Sequence, residues 1–339
     1  AMEMRLWKDK VSNDVVDTIF IGGGTPSLLT EGQFDVLQNE MVKSFHLSDK
    51  MEYTIECNPG TVDAEKLKNY KKAGVNRISF GLQSTISSEL ACLGRIHSYD
   101  DFLVSFHQAR ECGFANINVD LMSAIPEQTV AGYEQTLTRV CELAPEHISS
   151  YSLILEEGTP FYEKYGECPP VSEEEDRQMY ELTKERLSDF GYHRYEISNY
   201  ARDGYECLHN VGYWIRRDYL GFGIGAASLV DNVRFQNGRD LITYLENPQD
   251  CREEEQVLTE QEQMEETMFL GLRLIRGISY EQFEKQYGRS LPEVYGPVIT
   301  QNIADGLLRE YTEESGERFL ALTEKGLDVS NYVMAQFLF

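Results

Sequence analysis

The chain reads as an α/β protein built on a parallel, barrel-like sheet, with a smaller helical unit toward its C-terminal end. Three observations predict this. Apolar β-type runs recur at 19–21, 53–59, 77–84, 116–122 and 147–155, each closing on a polar residue or followed by one. Helix-like segments at 62–73, 98–112 and 130–143 stand between them, which is the rhythm of a βα repeat. After a break at Asn247, Pro248, Gln249 and Asp250, the pattern changes to helices and one short hairpin.

Ile19, Phe20 and Ile21 form a buried first strand that runs into Gly22, Gly23, Gly24, Thr25 and Pro26. The glycines leave the strand's C-terminal end bare, so backbone N–H and C=O groups there can approach a ligand, although a glycine cluster alone is more often a turn. In parallel barrels the βα loops converge at the C-terminal strand ends above a packed interior, so Glu56, Gln83 and Asp120 are expected to face one mouth. The acidic runs Glu173 to Asp176 and Glu253 to Glu255 read as solvated faces or helix starts, with Ser172 as a cap.

Beyond the break, 258–276 reads as one long helix with Met264, Met268, Leu272 and Ile275 at helical spacing. Segments 279–287 and 292–305 follow. Two short apolar runs, 307–311 and 319–323, then bracket a Glu-Ser-Gly turn, a two-stranded wing before a last helix. The expected division is therefore 1–250 for the barrel and 251–339 for a winged-helix-like unit.

With 339 residues the chain has ample material for a large core. Its net charge is −26, with the acids spread along the chain, which argues against nucleic acid as a partner because phosphate binding needs a basic footprint. The seven cysteines are irregularly spaced and odd in number, which fits reduced thiols of a cytoplasmic protein. No signal sequence and no run of about eighteen apolar residues is present.

A second constellation comprises Cys207, His209, Asn210, Tyr213 and Trp214. An imidazole near a thiol, an amide and two aromatics has the elements of a heme contact, since imidazole or thiolate can take an axial iron position while aromatics cover the ring. Chemistry alone favours a structural role for His209 and Trp214. Gly221, Gly223 and Gly225 lack the GxGxxG order of a dinucleotide site, and close backbone approach near the barrel mouth is expected of them.

Several of these segments together carry a resemblance. GGGTPS at 22–27, ECNP at 56–59, GLQS at 81–84, LGRIH at 93–97, INVDLM at 117–122 with IPEQT at 125–129, and HISSYSLILEEGT at 147–159 resemble the radical S-adenosylmethionine proteins related to oxygen-independent coproporphyrinogen III oxidase. The resemblance implies a partial, open TIM-like radical S-adenosylmethionine barrel. It also implies that Gly22, Gly23, Gly24 and Thr25 receive the methionyl amino group, Glu56 and Gln83 the ribose hydroxyls, and Arg95 the carboxylate, with Asp120 in support. Such groups suit such partners: carboxylates and amides accept from hydroxyls, and Arg offers a fork to a carboxylate.

That family holds a [4Fe-4S] cluster on three cysteines spaced C-x3-C-x2-C upstream of GGGTP. Here only Ala1 to Thr18 precede the strand, and no two of the seven cysteines lie closer than the twenty residues from Cys92 to Cys112. The expectation is a chain whose first barrel strand and cysteine loop are absent, either a protein without its native N-terminus or a degenerate homologue. The complete protein would carry the cluster and this chain would not, nor would it generate an adenosyl radical.

The intact HNxxYW at His209, Asn210, Tyr213 and Trp214, with YEISNYA before it, resembles the HemW branch of the family, regarded as heme chaperones. The resemblance implies binding of S-adenosylmethionine and heme, with His209 as an iron ligand, and delivery of heme to heme-dependent respiratory proteins; a homodimer is left open. Ala227 stands where many relatives have histidine. The enzyme alternative is an oxygen-independent coproporphyrinogen III oxidase, which converts propionates to vinyls, and a third reading is a barrel that binds only nucleosides.

Overall fold

The structure, a computed structural model, describes residues 1–166, 170–249 and 251–338. Its centre is a seven-stranded sheet in the order β1-β2-β3-β4-β5-β7-β6. The first five strands are parallel: β1 (Val15–Ile21), β2 (His46–Cys57), β3 (Arg77–Gln83), β4 (Ile117–Ser123) and β5 (His147–Ser152). Two short antiparallel strands, β6 (His193–Arg194) and β7 (Asn199–Ala201), close the far edge. The helices α1 (Met2–Trp7), α2 (Glu31–Ser44), α3 (Ala64–Lys72), α4 (Ser87–Cys92), α5 (Tyr99–Glu111), α6 (Val130–Glu142), α7 (Pro160–Tyr165) and α8 (Glu173–Asp189) alternate with the strands as the βα rhythm requires.

The strands alternate in a way that defines the molecule. Tyr53, Ile55, Ile78, Phe80, Val119 and Ile148 face the helices and are fully buried in the larger core. Their neighbours at 56, 77, 79, 118, 120 and 149 are polar and turn to the other, concave face, because successive side chains of a strand point to opposite sides. The expected packed interior is thus replaced by a polar, partly hollow one. A single apolar face suffices to hold the sheet against its helices, which leaves the other face free for a site.

Local chemistry sets the helix starts. Thr30, Ser98 and Ser172 each form a capping box with the residue three positions on, so the acidic run from Glu173 is a helix start as expected. Glu253 to Glu255 instead lie in a solvent-facing strand, β10 (Arg252–Val257), which pairs antiparallel with β9 (Val233–Asn237), itself paired with β8 (Ala227–Val230). Before β8 comes α9 (Leu208–Trp214), and α10 (Leu241–Glu246) follows β9. The expected division after residue 250 is crossed by the β9–β10 pairing; Asp250 itself, like Cys168, lies outside the described residues.

The second core begins at Met264 and is built on α11 (Glu260–Gly271), α12 (Tyr280–Tyr287) and α13 (Leu291–Ala304). The wing is present as β12 (Leu308–Thr312) and β13 (Arg318–Leu322), with β11 (Ile278–Ser279) added as a third strand. Two short helices, α14 (Glu324–Asp328) and α15 (Ser330–Ala335), end the described chain. The long helix expected over 258–276 stops at Gly271, where a Cβ would stand 2.6 Å from Ile278. Leu272 and Ile275 pack beyond its end.

Three findings correct or sharpen local expectations. β1, which the expected absence of a preceding strand leaves at the edge of the sheet, is covered there by the chain's own α9, with Phe20 stacked on His209 at 5.2 Å. Gly221, Gly223 and Gly225 do not serve the barrel mouth. A Cβ on Gly221 would lie 2.3 Å from the Ala227 carbonyl, and the Gly223 N–H donates to the buried Glu3 carboxylate (3.1 Å), which also takes Asn237 (2.8 Å) and Tyr244 (2.6 Å). These glycines therefore tie α1 to the β8–β9 hairpin. Among the described residues, no helix is long and apolar enough to cross a membrane.

Candidate functional site

Two cavities open on the concave face. The first, about 170 Å³, is lined by Gly24, Thr25, Glu56, Gln83, Arg95 and Asp120, with Asn58 and Ser79 between them. Gly22 and Gly23 are outside this lining but shape it. A Cβ on Gly22 would lie 2.9 Å from the Glu56 carboxyl carbon, so only glycine lets that carboxylate lie against the strand. Gly23 and Gly24 take φ of +78° and +146°, which turns the chain out of β1 at the rim. At the end of β3, Gln83 adopts φ +73° where its pairing with β4 slips. The sequence-predicted binding residues thus converge, as the strand-end argument requires.

Glu56 on β2 and Asp120 on β4 both line this cavity, with Ser79 of β3 between their strands. Burial pushes the Glu56 carboxyl up, repulsion from Asp120 adds to it, and the Gly23 N–H partly offsets both. Asp120 is also raised by burial, although Ser79 (3.1 Å) and Asn118 (2.8 Å) hold its oxygens. Two half-buried carboxyls whose ionisation is opposed in this way favour an incoming cation. Arg95 supplies the opposite charge in the same cavity.

The second cavity, about 300 Å³, shares Glu56, Ser79 and Asp120 with the first. Its far side is made by Phe20, Arg77, His209, Asn210 and Tyr213, with Ser149 and Tyr151 from β5. His209 and Tyr213 are one helical turn apart on α9, so both face inward, whereas Trp214 is rotated by about 140° from His209. Trp214 accordingly points away, with the Arg273 guanidinium 4.3 Å above its ring and Arg273 in turn 3.5 Å from the buried Glu196. It joins the barrel to the C-terminal unit and does not line the cavity.

His209 is held at both ring nitrogens, Nδ1 at 2.9 Å from the Thr18 hydroxyl and Nε2 at 3.0 Å from the Tyr213 hydroxyl. Burial, with the positive charge of Arg77 nearby, lowers its pKa from the ordinary 6.5 to about 4. The imidazole is therefore neutral at pH 7 and has a lone pair to offer once one hydroxyl yields. Cys207, two residues before, is fully buried, and burial pushes its thiol up to about 11. It remains a protonated thiol outside the cavity lining and does not compete as a thiolate ligand.

Behind the cavity runs a directional network that the sequence reading missed. Asn118 donates to Ser79 (2.8 Å) and Asp120, and its carbonyl takes His147 Nδ1–H (2.6 Å) and Ser149 (3.2 Å). His147 Nε2 then accepts from the Tyr195 hydroxyl (2.8 Å), which accepts the Cys207 N–H (3.3 Å) at the start of α9. Glu52, also missed, accepts the next two N–H groups, from Leu208 (3.0 Å) and His209 (3.1 Å). The signal for these residues was the polar alternation inside otherwise apolar strands.

No three His, Cys, Asp or Glu side chains among the described residues form a group able to hold a metal ion. The donors present do not fit an iron–sulfur cluster, which requires thiolates. The polar, open cavities instead bring carboxyl, guanidinium and imidazole groups together on their walls, a donor and acceptor set suited to an organic ligand.

Sequence comparison places residues 2–140 in the Radical SAM superfamily and residues 258–329 in the HemN C-terminal domain. The fold agrees with this class: the coproporphyrinogen III oxidase HemN from Escherichia coli, described as a radical SAM enzyme, superposes with a TM-score of 0.85 at 21% identity, over 99% of this chain and 81% of that one. The heme chaperone HemW of Bacillus subtilis is 39% identical over 97% of this chain and 87% of its own length. That of Escherichia coli is 35% identical over 95% and 84%. The chain belongs to the HemW family of radical SAM proteins.

Proposed function

We propose that this protein is a heme chaperone that binds S-adenosylmethionine in the first cavity and heme in the second, and passes heme to heme-dependent proteins. The observation that carries the reading is the shared wall: the GGGTP side and the HNxxY side open on the same Glu56, Ser79 and Asp120. S-adenosylmethionine brings an ammonium and a sulfonium to a site whose carboxyls resist ionisation, and a carboxylate to Arg95. Gly22, Gly23, Gly24 and Thr25 would receive the amino group, Glu56 and Gln83 the ribose hydroxyls, with Asp120 supporting them.

His209 is the candidate heme-iron ligand, with Phe20 and Tyr213 against the ring and Asn210 on the cavity wall. Trp214 would act only by fixing α9. The names of the relatives at 35–39% identity favour carriage of heme over oxidation of coproporphyrinogen. Coproporphyrinogen turnover by a cluster-loaded member carrying these same residues would reverse that preference.

The test is an anaerobic heme titration followed by visible absorption, on the chain and on His209→Ala. Saturable one-to-one binding that the substitution abolishes or spectrally alters supports the reading. Unchanged spectra in the variant remove His209 as the ligand.

A further inference from the structure

Arg77 is 2% exposed, at the start of β3, and lines the second cavity. Its Nε has no hydrogen-bond partner, and no ion pair among the described residues includes it. A buried guanidinium without a counter-ion costs several kcal/mol, so proteins seldom keep one without a use for it.

The acids nearest to it are already engaged. Glu52 is committed to the N–H groups of Leu208 and His209, and the oxygens of Asp120 to Ser79 and Asn118. Burial opposes the charge on Arg77 and its surroundings, Cys207 first and then Glu52, Tyr195 and Asp120, sustain it, yet no ion pair among the described residues joins either acid to it. What remains is a planar fork of N–H donors in a hollow, a geometry that matches a carboxylate in bidentate fashion.

The first cavity has its own guanidinium, Arg95, which the second does not share. Two cavities with one guanidinium each imply two ligands, each with its own carboxylate. On a chain with net charge −26, an anionic ligand is repelled at long range and needs such a local cation at its destination. We infer that Arg77 binds a carboxylate of the ligand that fills the second cavity beside His209. Resting on the tetrapyrrole reading above, that carboxylate is a propionate.

The test compares iron protoporphyrin IX with its dimethyl ester, which keeps the ring and iron but carries no free carboxylate, in titrations of the wild type, Arg77→Gln and Arg77→Lys. The wild type is expected to prefer the diacid on the order of tenfold, the size of one charge-assisted pair. Arg77→Gln should bind both forms as the wild type binds the ester, and Arg77→Lys should keep part of the preference. A full wild-type preference in Arg77→Gln overturns the inference.

Thermal unfolding separates a structural role. Removing an unpaired charge should leave the midpoint of Arg77→Gln unchanged or higher, and a marked fall overturns the inference as well. If the wild type binds neither porphyrin, the tetrapyrrole reading fails and the carboxylate site is read directly. Propionate, against chloride at equal ionic strength, should then raise the unfolding midpoint of the wild type and not of Arg77→Gln; equal responses would refute it.

Discussion

The Glu52 carboxylate accepts the backbone N–H of His209 at 3.1 Å, so a residue of β2 fixes the one imidazole that faces the second cavity. The same carboxylate takes the Leu208 N–H at 3.0 Å and the Cys207 thiol at 3.6 Å. It closes the first turn of α9, which has no side-chain cap of its own.

Replacing Glu52 by Ala should therefore leave buried N–H groups unpaired. A loss of about 1–3 kcal/mol in unfolding free energy is expected, with heme binding weakened through a displaced His209. Urea denaturation and heme titration of Glu52→Ala check both; unchanged stability would show that α9 closes without Glu52.

Stability should fall on acidification in a window set by His209. Its folded pKa of about 4 lies below the ordinary 6.5, so between those values the unfolded chain takes up a proton that the folded one refuses. The stabilisation is complete above about 6.5 and is lost as pH falls toward 4. His147, pushed well down by complete burial, acts in the same direction, while the raised Glu56 and Asp120 oppose it. His209→Gln should flatten the slope by up to about 1.4 kcal/mol per pH unit relative to the wild type, as read by denaturation across that range. Parallel slopes would show that His209 titrates normally.

Gly22→Ala should fold but lose S-adenosylmethionine. The added methyl would stand 2.9 Å from Glu56 and force that carboxylate into the first cavity. Calorimetry should find affinity reduced on the order of tenfold or more, and wild-type affinity would mean that Glu56 has room to withdraw.

Trp214→Ala should cost stability and not heme affinity. The ring lies under Arg273, so its loss removes a cation–π contact and packing at the seam, about 2 kcal/mol together. Heme titration should be unchanged once the variant is shown to be folded. A selective loss of heme binding would instead place Trp214 at the ligand.

Thiol labelling should follow burial. Cys92 and Cys112, both half-buried, should react before Cys207, whose thiol is fully enclosed and whose pKa is raised to about 11. Mass spectrometry of the labelled native protein should find Cys207 unmodified, and early labelling would show that α9 opens.

Local pattern determined much of this protein. The alternation of apolar strands and capped helices is written in segments of six to thirteen residues, so β1 to β5 and the helices α3, α5 and α6 were legible from periodicity. So was the convergence of Glu56, Gln83 and Asp120, since parallel strands linked by helices bring their C-terminal ends together. The placement of Tyr213 and Trp214 on different faces was also available, in the helical spacing from His209.

Only the tertiary structure decided the rest. Glu52 meets His209 across 157 residues, and Thr18 meets it across 191. No local period reports such a contact, because it depends on how the curled sheet lets α9 close its open side. The same closure left the concave face polar instead of packed and enclosed Arg77 with no ion-pair partner among the described residues. A strand's alternation tells which residues share a face, but only the arrangement of the other elements determines whether that face is filled by side chains or left hollow for a ligand.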